Sequence, residues 1–213
     1  MNNVNANSQY YTYTRPEMAI FVPKDAKKML DVGCGEGLFS SQFKGKIETW
    51  GIEVNQDIAM AAKKNIDKVI VGDVLEKMSE LPNKYFDCII FNDVLEHMVD
   101  PFSVLKQIKN KIKPTGVIIA SIPNIRHLSV LRKLLLKRQW KYEDYGIMDR
   151  THLRFFTYKS IISMFNDAGY DIVQIKGING STWWKYAFIN VLSFGFLWDT
   201  RYIQFACVAR QKI

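Results

Sequence analysis

The run from Lys28 to Leu38, KMLDVGCGEGL, constrains this chain more than any other stretch. Met29, Leu30 and Val32 suit a buried strand, with Asp31 near its carboxyl end. Gly33, Gly35 and Gly37 then alternate with Cys34 and Glu36. Glycine tolerates positive φ and admits a ligand close to the backbone. Leu38, Phe39 and Phe43 open an apolar period that suits a helix packed back on the strand. Strand, glycine turn and helix form the opening unit of a nucleotide-binding α/β sheet. The spacing departs from the dinucleotide fingerprint G-x-G-x-x-G, because Leu38 stands where that pattern needs its third glycine. An acid before the turn repels phosphate and attracts an ammonium group. The loop is therefore expected to hold a ligand with a cationic end.

Further acids recur where strands end. Glu48–Val54 (ETWGIEV) predicts a second strand carrying Glu53, at the interval where α/β nucleotide sites place an acid for ribose hydroxyls. Asn55 predicts a cap for a helix over Gln56–Asn65. Lys68–Asp73 (KVIVGD) predicts a third strand ending in Asp73, followed by a loop or short helix over Leu75–Leu81. Tyr85–Phe91 (YFDCIIF) is the near-continuous apolar run of a strand buried on both faces. It leads into Asn92-Asp93-Val94-Leu95-Glu96-His97 at the crevice where strand order reverses and ligands bind.

The seven residues Asp31-x-Gly33-x-Gly35-x-Gly37 resemble motif I of the class I S-adenosylmethionine-dependent methyltransferases. The resemblance implies a doubly wound, mostly parallel α/β sheet of order 3-2-1-4-5-7-6, with the last strand antiparallel and helices on both faces. It implies S-adenosylmethionine as cofactor, with Asp31 on its amino group and Gly33, Cys34, Gly35 and Gly37 around its methionine tail. Glu53 and Val54 would meet the ribose. Asp73 would accept from the adenine amino group, and the Val74 N–H would meet a ring nitrogen. Asn92 completes the expected cofactor contacts.

Methyl transfer to an oxygen needs alignment of donor and acceptor, and a base for the acceptor proton. The candidates are Asp93, His97 and His152. In Asp93-x-x-Glu96-His97 the side chains at i, i+3 and i+4 would share one helix face. Joined by His152, they would suit a divalent metal such as magnesium or manganese. The pattern is similar to E-x-x-E-H in small-RNA 2′-O-methyltransferases and quinone-biosynthesis O-methyltransferases, with Asp93 one carbon shorter than their first glutamate. The plain alternative is a loop that Glu96 and His97 merely orient. Asp149-Arg150-x-His152-x-Arg154-Phe155-Phe156 resembles a segment of bacterial surface-polysaccharide methyltransferases. Arg150 and Arg154 would hold an anionic acceptor there, or close the loop by salt bridges.

The leading expectation is O-methylation of a small or saccharide-like acceptor, nucleotide- or lipid-linked. The alternatives are an RNA 2′-O-methyltransferase and a non-catalytic S-adenosylmethionine-binding scaffold. A net charge of +8 favours anionic partners without choosing among nucleic acid, phosphorylated substrates and membrane surfaces. Against nucleic acid, the basic residues are not interleaved with stacking aromatics in a recognisable module. Cys34, Cys88 and Cys207 lack metal-type spacing and read as reduced thiols of a cytoplasmic protein. Residues 1–14 lack the apolar core of a secretory signal.

Residues 1–9 are expected to be disordered, and 10–213 to form one domain whose N-terminal part, Tyr10–Val22, is a helix across the site. Helices are further expected over Phe102–Lys113 and from Thr157 to Ala168, and strands over Gly116–Ile122, Tyr170–Gly177 and Arg201–Arg210. Ile125–Lys141 holds six cations, no acid and a leucine face, which predicts a basic amphipathic helix. An insert at about 180–199, with the aromatic run Trp183–Trp198, would serve as a packing or homodimer surface, or as an interfacial contact at the inner face of the membrane.

Overall fold

The computed structural model describes residues 13–181 and 184–212. The disorder expected over 1–9, most of the expected helix before Arg15, and Trp183 lie outside the described residues. Seven strands form one sheet in the order β3-β2-β1-β4-β5-β7-β6. They are β1 (Lys28–Val32), β2 (Glu48–Glu53), β3 (Lys68–Val71), β4 (Phe86–Asn92), β5 (Ile112–Pro123), β6 (Tyr170–Gly180) and β7 (Tyr202–Gln211). The first five pair in parallel, and β7 runs antiparallel to both β5 and β6. This is the order and direction that the resemblance to class I methyltransferases implies.

Side-chain alternation along β1 and β4 builds two cores, one on each face of the sheet. Leu30, Val32, Ile89 and Phe91 belong to one, and Met29, Cys88 and Ile90 to the other. All seven are buried, at roughly 1.5–3 kcal/mol for each large apolar side chain. Asp31 lies in register with Gly51 and Ile90, so a carboxylate sits between two apolar neighbours at the centre of the sheet.

The helices are α1 (Pro16–Ala19), α2 (Leu38–Ser41), α3 (Gln56–Asn65), α4 (Pro101–Ile108), α5 (Leu128–Lys137), α6 (Tyr158–Asp167) and α7 (Trp184–Leu192). The cap chemistry holds where it was legible. The Asn55 side chain accepts from the Asp57 and Ile58 N–H groups, and Thr157 forms a capping box with Ser160. Gly169 closes α6 at φ 84°. Three expectations are corrected. The described part of the N-terminal helix is a single turn behind Arg15, which takes a left-handed φ of 49°. The helix after the glycine turn is also a single turn. The segment after β4 is not an α-helix: Asp93 has φ 55°, and only Leu95–His97 form a 3₁₀ turn. Asp93, Glu96 and His97 therefore do not share a helix face.

β6 runs to Gly180, three residues beyond expectation, because glycine lets an aromatic ring lie on it. A Cβ on Gly177 would fall 2.2 Å from Tyr202 Cγ, and one on Gly180 would fall 2.7 Å from Tyr202 Cδ1. Tyr202 is itself packed against Phe205 and Trp198. The Gly177→Ala variant is expected to lose about 1–3 kcal/mol of stability through overpacking. Adding Tyr202→Ala should recover part of the Gly177→Ala loss, as read from urea midpoints of the variants.

Candidate active site

The glycine turn folds as its residue types require. Gly33, Gly35 and Gly37 all have positive φ, at 69°, 56° and 78°. A Cβ on Gly33 would lie 2.6 Å from Val94 Cγ2, so the turn rests directly on the segment after β4. The Gly33 and Cys34 N–H groups donate to Ile52 O, which ties the turn to β2. Cys34 is buried with its thiol pKa pushed up by burial, so it packs rather than reacts.

Asp31 is 2% exposed and accepts one hydrogen bond from Ser40 Oγ at 2.7 Å. Burial is the main cause that raises its carboxyl to about 7, opposed by the Ser40 bond and helped by Glu53. Glu53 is also buried, and each of its oxygens accepts a backbone N–H: Oε2 from Gly35 and Oε1 from Asn55, both at 3.0 Å. These bonds lock its rotamer and leave further acceptor capacity on each oxygen. Val54 is exposed beside it. Asp73 is exposed, with Oδ1 accepting from the Leu75 N–H at 2.8 Å, while Val74 is buried. Asn92 ends β4 with both side-chain polar atoms buried and without a hydrogen-bond partner among the described residues. An orphaned buried amide costs about 1–3 kcal/mol unless something fills its valences. A positive-φ cradle, acids on three successive strand tips and an unmet amide fit a ligand with a cationic end and a hydroxyl-bearing nucleoside. The same acids would repel a pyrophosphate.

The acceptor side is built from two loops. Asp93 Oδ1 accepts from Ser121 Oγ at 2.9 Å and from Gln204 Nε2 at 2.8 Å, and Oδ2 pairs with Arg15 Nη1. Both oxygens are engaged, so Asp93 acts as an anchor joining the Arg15 turn, β5 and β7. Glu96 is 1% exposed, and neither oxygen has a hydrogen-bond partner among the described residues. Burial and then Asp93 push its carboxyl well above the usual range. His152 Nε2 stands 4.0 Å from Glu96 Oε1, and the His97 and His152 rings meet edge-on with centroids 4.7 Å apart.

Both imidazoles have a defined orientation. His152 Nδ1 lies 3.0 Å from Ile147 O, and His97 Nδ1 lies 3.2 Å from Thr151 O. A carbonyl accepts only, so each Nδ1 donates its N–H, and in a neutral ring the lone pair then lies on Nε2. Thr151 Oγ1 donates to Asp149 Oδ1 at 2.6 Å and lies 3.1 Å from His97 Nδ1. Asp149 and Thr151 thus position His97. Their D-x-T spacing signals a local turn, but nothing in it points to a histidine 54 residues earlier. Burial and then His152 lower the His97 pKa, which keeps it neutral at pH 7. Glu96, His97 and His152 bring one ligand-type atom each within 4.8 Å of one another, and Asp93 is not in that group. Arg150 meets Asp144 at 2.5 Å, and Arg154 donates to Val99 O at 2.6 Å. Arg150 is thus salt-bridged within the loop, while Arg154 ties it to the segment after β4 through a backbone carbonyl. A cleft of about 110 Å³ lies among Glu96, Asp149, His152, Pro123 and Gln204.

A family model described as a methyltransferase domain matches residues 8–175. The chain belongs to the methyltransferase domain family. This methyltransferase is 26% identical over 165 residues to a ubiquinone biosynthesis O-methyltransferase of Neisseria meningitidis serogroup C, covering 71% of this chain and 67% of that one. It is 31% identical over 109 residues to a protein of the same name from Glaesserella parasuis, covering 46% of each. The chain thus spans between about half and two thirds of these relatives' length. Its fold is similar to that of a crystallised S-adenosylmethionine-dependent methyltransferase from Archaeoglobus fulgidus, with TM-score 0.70 and 22% identity over 92% of this chain and 91% of that one. The methyl donor of class I members is S-adenosylmethionine, and the cradle described above fits it.

The state of Asp31 sets a pH dependence. Burial favours a proton on Asp31 below about pH 7, and an ammonium group set against it, as the resemblance implies, would have to displace that proton. S-adenosylmethionine affinity is expected to fall as pH drops below about 7, by at most about tenfold per unit. Calorimetry over that window should show the slope in the native protein, and a weaker, flat response in Asp31→Asn.

Proposed function

We propose that this methyltransferase transfers a methyl group to a hydroxyl oxygen of a small acceptor, held between the end of β4 and the loop 146–153. The observation that carries this reading is His97, oriented by the Thr151 carbonyl, beside the buried carboxyl of Glu96, which has no hydrogen-bond partner among the described residues. S-adenosylmethionine supplies a methyl group on a positively charged sulfur. The chain's own part is to align the two reactants and to take the acceptor proton, which are the main requirements of an in-line displacement. The Gly33 contact with Val94 sets the donor side against the acceptor side. The Thr151 carbonyl holds His97 Nδ1–H, so the proton is taken at Nε2. The names of the Neisseria and Glaesserella relatives, ubiquinone biosynthesis O-methyltransferases, support O-methylation of a small molecule.

A radiolabelled methyl-transfer screen over quinone-precursor phenols, nucleotide-sugars and RNA tests this reading. Product from a small hydroxyl acceptor is expected, and transfer to RNA alone would overturn it. In His97→Ala, kcat should fall about 100-fold, the lower end of general-base contributions, while cofactor affinity measured by calorimetry changes little.

A second reading places a divalent cation on Glu96, His97 and His152. It is favoured by their convergence within 4.8 Å and by two Nδ1–H groups given to backbone carbonyls, the usual support of ligating histidines. Such an ion would lower the pKa of a bound hydroxyl. Manganese or zinc should then raise the melting temperature of the native protein but not of Glu96→Gln. No shift in the native protein rejects the ion.

A further inference from the structure

We propose that α7, the turn after it and α5 form a surface that docks on an anionic phospholipid bilayer. On α7, Trp184, Phe188, Val191 and Leu192 fall at i, i+4, i+7 and i+8, which places them on one helix face. All four are exposed, between 58% and 74%. The chain then turns through Phe194 and Gly195, both with positive φ, and raises Phe194 and Phe196 into solvent at 98% and 80% exposure. These side chains form a protruding apolar tip rather than a cap on the core.

The tip is joined to a basic helix. Arg126, just before α5, donates to Phe196 O at 3.0 Å and pairs with Asp199 at 3.1 Å. On and after α5, Leu135 and Leu136 are exposed at 71% and 77%. Arg132, Lys137, Arg138 and Lys141 are exposed beside them, and none is ion-paired among the described residues. No acid occurs between residues 125 and 142, or between 172 and 198.

The charge pattern selects the occupant. A twofold dimer is isologous and sets a patch against its own copy. Here that would bring uncompensated cations together around the apolar stripe. An anionic lipid surface neutralises them, while the aromatic and leucine side chains enter the headgroup boundary. Among the described residues no helix is long and apolar enough to cross a membrane, so the contact is peripheral.

The test is flotation of the full chain with vesicles of phosphatidylcholine alone, and of phosphatidylcholine mixed with phosphatidylglycerol. Binding to the mixed vesicles, weakened by salt and much weaker on phosphatidylcholine alone, is expected. The double variants Phe194→Ser/Phe196→Ser and Arg132→Glu/Lys137→Glu should each lower the bound fraction by about fivefold or more. S-adenosylmethionine affinity by calorimetry should stay unchanged in both, since neither pair touches the cofactor cradle. No binding to mixed vesicles overturns the proposal. So does a dimer seen by light scattering that Phe194→Ser/Phe196→Ser dissociates, with no vesicle binding. The readout does not involve methyl transfer, so it stands or falls apart from the acceptor assignment.

Discussion

Three carboxyl groups, Asp31, Glu53 and Glu96, are taken out of water at the carboxyl ends of adjacent strands, each 5% exposed or less. Burying such a group is costly unless hydrogen bonds or a counter-charge offset it. The three are compensated to different degrees. Among the described residues, Glu53 receives two backbone N–H groups, Asp31 receives one hydroxyl, and Glu96 receives no hydrogen bond. The ranking matches their roles. Glu53 shapes the loop whether or not a ligand is bound. Asp31 keeps unused acceptor capacity, and Glu96 keeps more, with neither oxygen hydrogen-bonded among the described residues. The protein places its electrostatic deficits where partners must arrive.

The cofactor half of this arrangement was legible in the chain because its determinants are local. Alternating glycines after an acid force one kind of turn, and Glu53 lies only 18 residues beyond Gly35, to which it bonds. Strand order came only through the family resemblance that this motif carries. The acceptor half was legible only as a set of residues. Glu96, His97 and His152 do converge, but not through the helix periodicity that suggested it, because Asp93 takes a left-handed φ and breaks the pattern. The partners that hold Asp93, Arg15 and Gln204, lie 78 and 111 residues away. No spacing rule reaches that far, so an aspartate in an apparent catalytic pattern turned out to have both its oxygens already engaged.

Segment lengths went astray for a related reason. Apolar periodicity marked α2 and α5, but α2 is one turn, and α5 spans ten residues where the basic stretch has seventeen. Periodicity reports which face is buried, while tertiary contacts decide where a helix stops. The exposed leucines at the end of α5 and the aromatic face of α7 show the limit from the other side. Their sequence pattern is that of buried elements, and nothing within the described residues buries them.

The position of β7 has a consequence for how the chain reaches this state. It lies between β5 and β6 and bonds to both, although both precede it. During synthesis β5 presents an open, apolar edge, and β6 has no neighbour on the sheet until residues 202–211 leave the ribosome. An unpaired strand edge is a template for the wrong partner. Closure of the β5-β7-β6 side of the sheet therefore waits for β7. Until then the nascent chain carries a completed cofactor cradle beside an unfinished sheet, the interval in which chaperone protection would matter most.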